Sequence, residues 1–136
     1  MDLMKSMRIA ASGLRAQSAR MKIIAENIAN AESTAKTKGG DPYQRRIPTF
    51  REVFDAEIGA NVVQQGRVQL DRSDFGEKFD PGNPAANDKG IVKTPNVNTL
   101  IEMVDMREAQ RSYEANLNVI GSTRRMKSKT LDILRG

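Results

Sequence analysis

Cysteine, histidine and tryptophan are all missing from the 136-residue sequence. Without cysteine there is no disulfide framework and no thiol chemistry. Losing histidine as well removes the commonest general base, the commonest soft metal ligands and every Ser-His or Cys-His nucleophile pair. Aromatic residues make up only 4% and hydrophobic residues 38%. A large compact core is hard to assemble from so little, and thin helical seams suit it better. No apolar run approaches the length of a membrane span. Lys5, Arg8, Ser12, Arg15 and Gln17 interrupt the stretch where a secretory signal would carry its apolar block, so any passage out of the cytoplasm is expected by another route.

Other signatures are absent too. There is neither a Walker loop nor a GxGxxG pattern. Two carboxylate pairs, Asp71 with Asp74 and Asp80 with Asp88, lie in turn-rich segments where acids are expected for turn formation alone. Residues 80–88 lack the EF-hand ligand spacing and its closing glutamate. The sequence therefore predicts a protein that is not an enzyme and takes no cofactor, metal or small-molecule substrate.

The charge is +5 and unevenly placed. Residues 1–38 carry seven Lys/Arg against three Asp/Glu, residues 39–95 eight against nine, and residues 96–136 seven against five. Basic termini could serve nucleic acid or an anionic membrane surface, or simply be the solvated faces of amphipathic helices. The basic run Arg124, Arg125, Lys127 and Lys129 has no aromatic partner, and cations near a helix C-terminus are favourable without any ligand.

Residues 95–134 organise the rest. They begin Pro95-Asn96-Val97-Asn98, then continue with no further proline and a single glycine, Gly121. That is the pattern of one long helix, roughly 55 Å at the helical rise, with Thr99-x-x-Glu102 as a capping box or Asn96 or Asn98 as the cap. Steps of four and three residues give Met103, Met106, Gln110, Tyr113, Leu117, Ile120, Arg124, Lys127, Leu131 and Leu134. Arg124 and Lys127 interrupt this seam, and either the apolar face shifts toward a further neighbour or their stems lie along it.

The N-terminal stretch repeats the spacing at Leu3, Met7, Ala10, Leu14, Gln17, Met21, Ile24, Ile28 and Ala31, which predicts a coiled-coil seam over residues 1–31. Gln17 either fixes register within it or reaches past it into water. Small residues crowd the first half of this helix, and Asn30 to Thr34 stop it. Between the helices, residues 35–42 form a breaker-rich loop. Residues 43–54 and 61–70 hold short Val-, Ile-, Phe- and Tyr-rich runs, read as two to four short strands, with Gln65-Gly66 as the best hairpin turn signal. Residues 79–95 form an ordered-turn segment or linker. The fold class predicted is mainly α with a small β element: an N-terminal helix over 1–34, a central β/loop region over 35–95 and a C-terminal helix over 96–136, the helices forming one domain.

Several ordered blocks carry a resemblance. The run from Ala25 to Thr34, Ala-Glu-Asn-Ile-Ala-Asn-Ala-Glu-Ser-Thr, is similar to the Asn-Leu-Ala-Asn signature of flagellar rod and hook proteins. It is followed by Pro42-Tyr43-Gln44-Arg45-Arg46, Asp80-Pro81-Gly82-Asn83-Pro84, Gly90-Ile91-Val92, Pro95-Asn96-Val97-Asn98, Glu102-Met103-Val104-Asp105-Met106 and Arg111-Ser112-Tyr113-Glu114-Ala115-Asn116. Together these blocks resemble the proximal rod proteins of the bacterial flagellar basal body, the FlgC type, over nearly the whole chain. Asn83 stands where histidine is usual and Ile91 where tyrosine is usual.

The resemblance implies a structural subunit whose terminal helices pair in a coiled-coil-like layer and stack helically into a drive shaft crossing the periplasm. It implies copies of itself, other flagellar rod proteins and the export-gate and MS-ring adaptor as partners, with export by the flagellar type III apparatus. Asn27, Asn30, Asn96, Asn98, Tyr113 and Asn116 match the family's motifs and are candidates for polar contacts that hold loops and register. Helix capping within one subunit is the other reading of each asparagine. With the seam positions Leu3, Met7, Leu14, Met21, Ile24, Ile28, Met103, Leu117, Ile120, Arg124, Lys127, Leu131 and Leu134, they make up the candidate assembly interface. The runner-up is a basic coiled-coil adaptor on nucleic acid or acidic membrane.

Overall fold

The computed structural model describes residues 2–136. Two long helices dominate it, α1 over Leu3–Ala29 and α2 over Thr99–Arg135. Between them lie six short strands: β1 Arg46–Ile47, β2 Phe50–Asp55, β3 Ala60–Gln65, β4 Gln69–Leu70, β5 Gly76–Phe79 and β6 Ile91–Thr94. They form antiparallel pairs, β1 with β4, β2 with β3 and β5 with β6. This is the mainly α fold with a small β element expected from periodicity and breakers.

Helix α1 stops one residue before Asn30, whose side-chain amide turns back to donate to the Glu26 carbonyl at 2.8 Å. Asn98 caps α2: its Oδ1 accepts from the Leu100 amide at 3.1 Å, and its backbone carbonyl accepts from the Glu102 amide at 3.0 Å. The Thr99–Glu102 capping box does not form, because the Glu102 side chain is drawn into the protein instead.

The central strands differ from expectation in two respects: β5 and β6 lie outside the runs expected to hold strands, with β6 inside the 79–95 segment expected to be turn or linker, and the hairpin turn is elsewhere. The hairpin turn between β2 and β3 lies at residues 56–59, where Gly59 takes φ 64° and donates to the Asp55 carbonyl at 2.8 Å. Gln65-Gly66 is not a turn but the end of the ribbon, with the Gly66 amide donating to Thr49 O at 2.7 Å. Two Gly-containing breaks flank the same valines, and Gly59 has the left-handed conformation that a tight reversal needs. The turn-rich residues 80–90 are as expected, but they join β5 to β6 rather than serve as a linker.

The chain gathers into two compact units. One takes the N-terminal part of α1, Thr49–Arg67 and Arg107–Gly136; the other takes Lys22–Pro48 and Val68–Met106. In the first, Ala10, Ser12 and Ala16 of α1 are buried along with Val62 of β3 and Ala109 and Thr123 of α2. In the second, Ala85, Ala86 and Val92 cluster with Ala35 against them, and Ile23, Ile24, Asn27 and Glu102 are buried. Both interiors are built largely from small and polar side chains. No predicted α1 seam residue from Leu3 to Ile28 is exposed, whereas α2 turns a different stripe inward.

Candidate functional site

From the segment between α1 and β2, Tyr43, Arg45 and Arg46 reach the end of α1 and the start of α2 within the second unit. Asn27 has no exposed surface and Glu102 only 1%. The Asn27 side chain behaves as a strand would toward Arg46: its Nδ2 donates to the Arg46 carbonyl at 2.8 Å, and its Oδ1 accepts from the Arg46 amide at 3.0 Å. Oδ1 also accepts from the Tyr43 hydroxyl at 2.6 Å, and Nδ2 donates to Glu102 Oε2 at 3.2 Å. Every donor and acceptor of the amide is used, which is what a fully buried amide requires.

A buried carboxylate such as Glu102 is costly unless it is paired and hydrogen-bonded. Arg45 supplies the pairing: its Nε donates to Glu102 Oε1, its Nη1 to Asp71 Oδ2 at 3.2 Å, and Nη2 lies 3.9 Å from Asp105 Oδ2. Burial works against the Arg45 charge, but Glu102 and Asp71 outweigh it and hold the guanidinium above its ordinary value. Asp71 is held below the usual carboxylate range, first by hydrogen bonds from Ser73 and then by Arg45. Burial pushes the Tyr43 hydroxyl up. Asn96 closes the junction, with Oδ1 accepting from the Arg45 amide at 2.7 Å and Nδ2 donating to Asp71 O at 2.9 Å. The result is a polar clasp that joins the end of α1, the loop after it, the segment after β4 and the first turns of α2.

In the first unit the helices approach through small residues. A Cβ built on Gly13 would come 2.7 Å from Asn116 Nδ2, so α1 has room there only for glycine unless Asn116 moves. Arg20 Nη2 lies 3.5 Å from Glu108 Oε2. Gln17 does not send its carbonyl to water: Oε1 is buried without a hydrogen-bond partner among the described residues.

The inward stripe of α2 is Glu102, Met106, Ala109, Tyr113, Asn116, Ile120 and Thr123, none of them exposed. Met106, Tyr113 and Ile120 are shared with the predicted seam, but the alternate positions lie one residue earlier. Met103, Gln110, Leu117, Arg124, Lys127, Leu131 and Leu134 consequently face solvent. Grooves lie between the two helices in the first unit. One of about 460 Å³ runs between Leu3 and Ser6 on α1 and Val119, Thr123 and Met126 on α2. Another, about 380 Å³, lies between Met4 and Met7 and Arg124, Lys127 and Leu131.

Of the predicted polar residues, Asn27 and Asn96 meet in the clasp, Asn98 caps α2, Asn30 bonds locally, Asn116 packs at Gly13, and Tyr113 lies half-buried on the inward stripe. Glu102, Arg45 and Asp71 escaped sequence reasoning as clasp members, having been assigned to a cap, a motif without a partner and a turn. The one available signal was Glu102's place at the head of a second four-three stripe. No group of acidic side chains among the described residues is arranged to hold a metal ion, and no helix is long and apolar enough to cross a membrane.

Comparison with known proteins adds a second line of observation. A family model described as the flagella basal body rod protein matches residues 7–35, and one described as the flagellar basal body rod FlgEFG protein C-terminal region matches residues 88–133. The first match contains Asn27 and the second contains Asn96 and Glu102. The chain is 53% identical to the flagellar basal-body rod protein FlgC of Agrobacterium fabrum over 128 residues, covering 94% of this chain and 92% of that protein. It is 39% identical to the protein of the same description in Borreliella burgdorferi, covering 100% of both. Against the Bacillus subtilis protein the figure is 35%, covering 98% and 99%.

Proposed function

Because the chain belongs to the FlgC family of flagellar basal-body rod proteins and is a structural rod subunit, we propose that it works by packing the outward faces of its terminal helices against neighbouring subunits. Copies of this chain stack helically with other rod proteins, next to the export-gate and MS-ring adaptor, into a shaft that crosses the periplasm and transmits torque. The chain reaches that position through the flagellar type III apparatus and performs no catalysis. Its two helices act together as one rod-core domain. No observation favours the alternative of a basic adaptor on nucleic acid or acidic membrane.

The observation that carries this reading is the inversion of α2. Ala109 and Thr123 are buried, while Leu100, Val104, Leu117, Met126, Ile133 and Leu134 are each at least 50% exposed. Burying a Leu, Ile or Met side chain fully is worth about 1.5–3 kcal/mol. A helix that turns such residues outward over its whole length is shaped for partners rather than for its own chain. The candidate interface residues Met103, Leu117, Arg124, Lys127, Leu131 and Leu134 are all exposed on α2, and the half-buried Leu3 and Met7 line the grooves beside it, whereas Ile120 is on the inward stripe.

The test replaces Leu131 and Leu134 together by glutamate in a strain whose only copy is the variant. Both side chains are exposed, so thermal unfolding of the isolated subunit should be unchanged while motility and recovery of the protein in basal bodies are lost. Full motility with the variant present in basal bodies would overturn the packing role given to this end of α2.

A further inference from the structure

The β2–β3 hairpin has two unlike faces. Toward α1 it presents Val62, which is buried, and the edge of β3, where the Val63 amide donates to Ser12 Oγ at 3.3 Å. Near the turn, Lys5 Nζ donates to Gly59 O at 3.4 Å and Arg8 pairs with Glu57 at 3.2 Å. Antiparallel register places Phe50, Glu52 and Phe54 on the other face, opposite Gln65, Val63 and Asn61. There Phe50 is 43% exposed, Phe54 64% and Val63 40%. Two of the four phenylalanines in the chain thus sit in water on a two-stranded ribbon, where an uncovered ribbon would carry charge or proline instead. Among them Glu52 is the charged side chain, since Asp55 and Arg51 fall by register on the α1 side with Val62 and Glu57 is paired with Arg8.

The complementary surface is on the same chain. The last turns of α2 expose Met126, Leu131, Ile133 and Leu134 among Arg124, Arg125, Lys127, Lys129 and Arg135, with Asp132 the one acid. Both surfaces are exposed in the folded subunit, so they do not cover each other within it. Hairpin against hairpin would set acid against acid, and helix end against helix end would set base against base. Only the unlike pairing joins opposite charge and apolar contact together. Contact between two different patches of one molecule is heterologous, and it propagates instead of closing into a two-fold dimer.

We infer that the outer face of the β2–β3 hairpin, through Phe50, Phe54, Val63 and Glu52, docks on the C-terminal turns of α2 in a second copy of this chain. The inference rests on the rod reading and adds to it which surface the C-terminal end of α2 meets.

Because the chain has no cysteine, directed cross-linking has no background. Phe54→Cys and Leu131→Cys chains are purified separately, mixed at high concentration and oxidised; Val63→Cys with Ile133→Cys is the second pair. The mixed dimer should exceed either homodimer about tenfold or more. Glu52→Lys in the first chain should cut its yield several-fold and Lys127→Glu in the second should restore it, with unfolding temperatures unchanged. Equal homodimer and mixed-dimer yields, or no mixed dimer from either pair, overturn the interface. In parallel, the Phe54→Cys, Leu131→Cys double variant is expressed as the only copy in the parent bacterium and oxidised in isolated basal bodies. A ladder of linked chains is expected. Incorporation without a ladder overturns the interface and leaves the rod reading intact, whereas absence of the tagged wild-type chain from basal bodies overturns the rod reading itself.

Discussion

Glu102 is the residue on which the second unit turns. It is buried, it meets Arg45 and Asn27, and these partners come from two separate stretches of chain. Glu102→Gln keeps the shape but removes the charge facing Arg45, and breaking one side of a buried pair costs about 3–5 kcal/mol in dry sites. Arg45 is one-fifth exposed and can recover some hydration, so a loss nearer 2 kcal/mol is expected, read as a lower thermal midpoint. Asn27→Ala should cost at least as much, because it strands the Arg46 backbone groups and the Tyr43 hydroxyl together. Asp71 gives the clasp its pH dependence. Its carboxyl titrates below the ordinary range in the folded chain, so its contribution is present above about pH 4 and lost as pH falls through the lower native value. Unfolding midpoints measured down an acid series should fall in that window, and Asp71→Asn should flatten the fall.

At the scale of elements, α2 shows both what a sequence reveals and what it hides. Its extent was legible, because Pro95 to Asn98 mark the start and no breaker follows before the end. Its inward face was not, because a search for large apolar side chains finds the outward stripe, while Ala109, Asn116, Thr123 and Glu102 form the inward one. The hairpin turn was misplaced for a related reason: two glycines bracket the Val62-Val63 pair, and only backbone conformation separates Gly59 from Gly66. Clasp partners lie 19 and 75 residues apart along the chain, so no local motif could announce them, although Asn27 and Asn96 were identified as polar contacts. The Gly13–Asn116 approach makes a prediction at this scale. Alanine at a helical glycine gains about 1 kcal/mol, but here the new Cβ meets Asn116, whose Nδ2 donates to Ser112 O at 3.1 Å. Gly13→Ala should therefore show little or no gain alone and recover about 1 kcal/mol in an Asn116→Ala background. A double-mutant cycle on thermal unfolding measures the difference. Gln17→Met should stabilise the chain by about 1 kcal/mol by removing a buried carbonyl that lacks a partner.

For the whole molecule, α1 serves both units. It holds the β2–β3 hairpin through Ser12, Lys5 and Arg8 in one and supplies Asn27 to the clasp in the other. Removing residues 1–31 takes away all of these at once. The expected outcome is a non-motile strain with no truncated protein in its basal bodies, checked by complementation and by immunoblot of purified basal bodies; motility surviving the deletion would contradict the rod role. The separation between Asn27 and Glu102 also sets an order of events. A chain synthesised from its N-terminus onward cannot close the clasp until Glu102 has been made, 75 residues after Asn27. A chain cut short before Glu102 thus leaves the buried Asn27 amide without that partner.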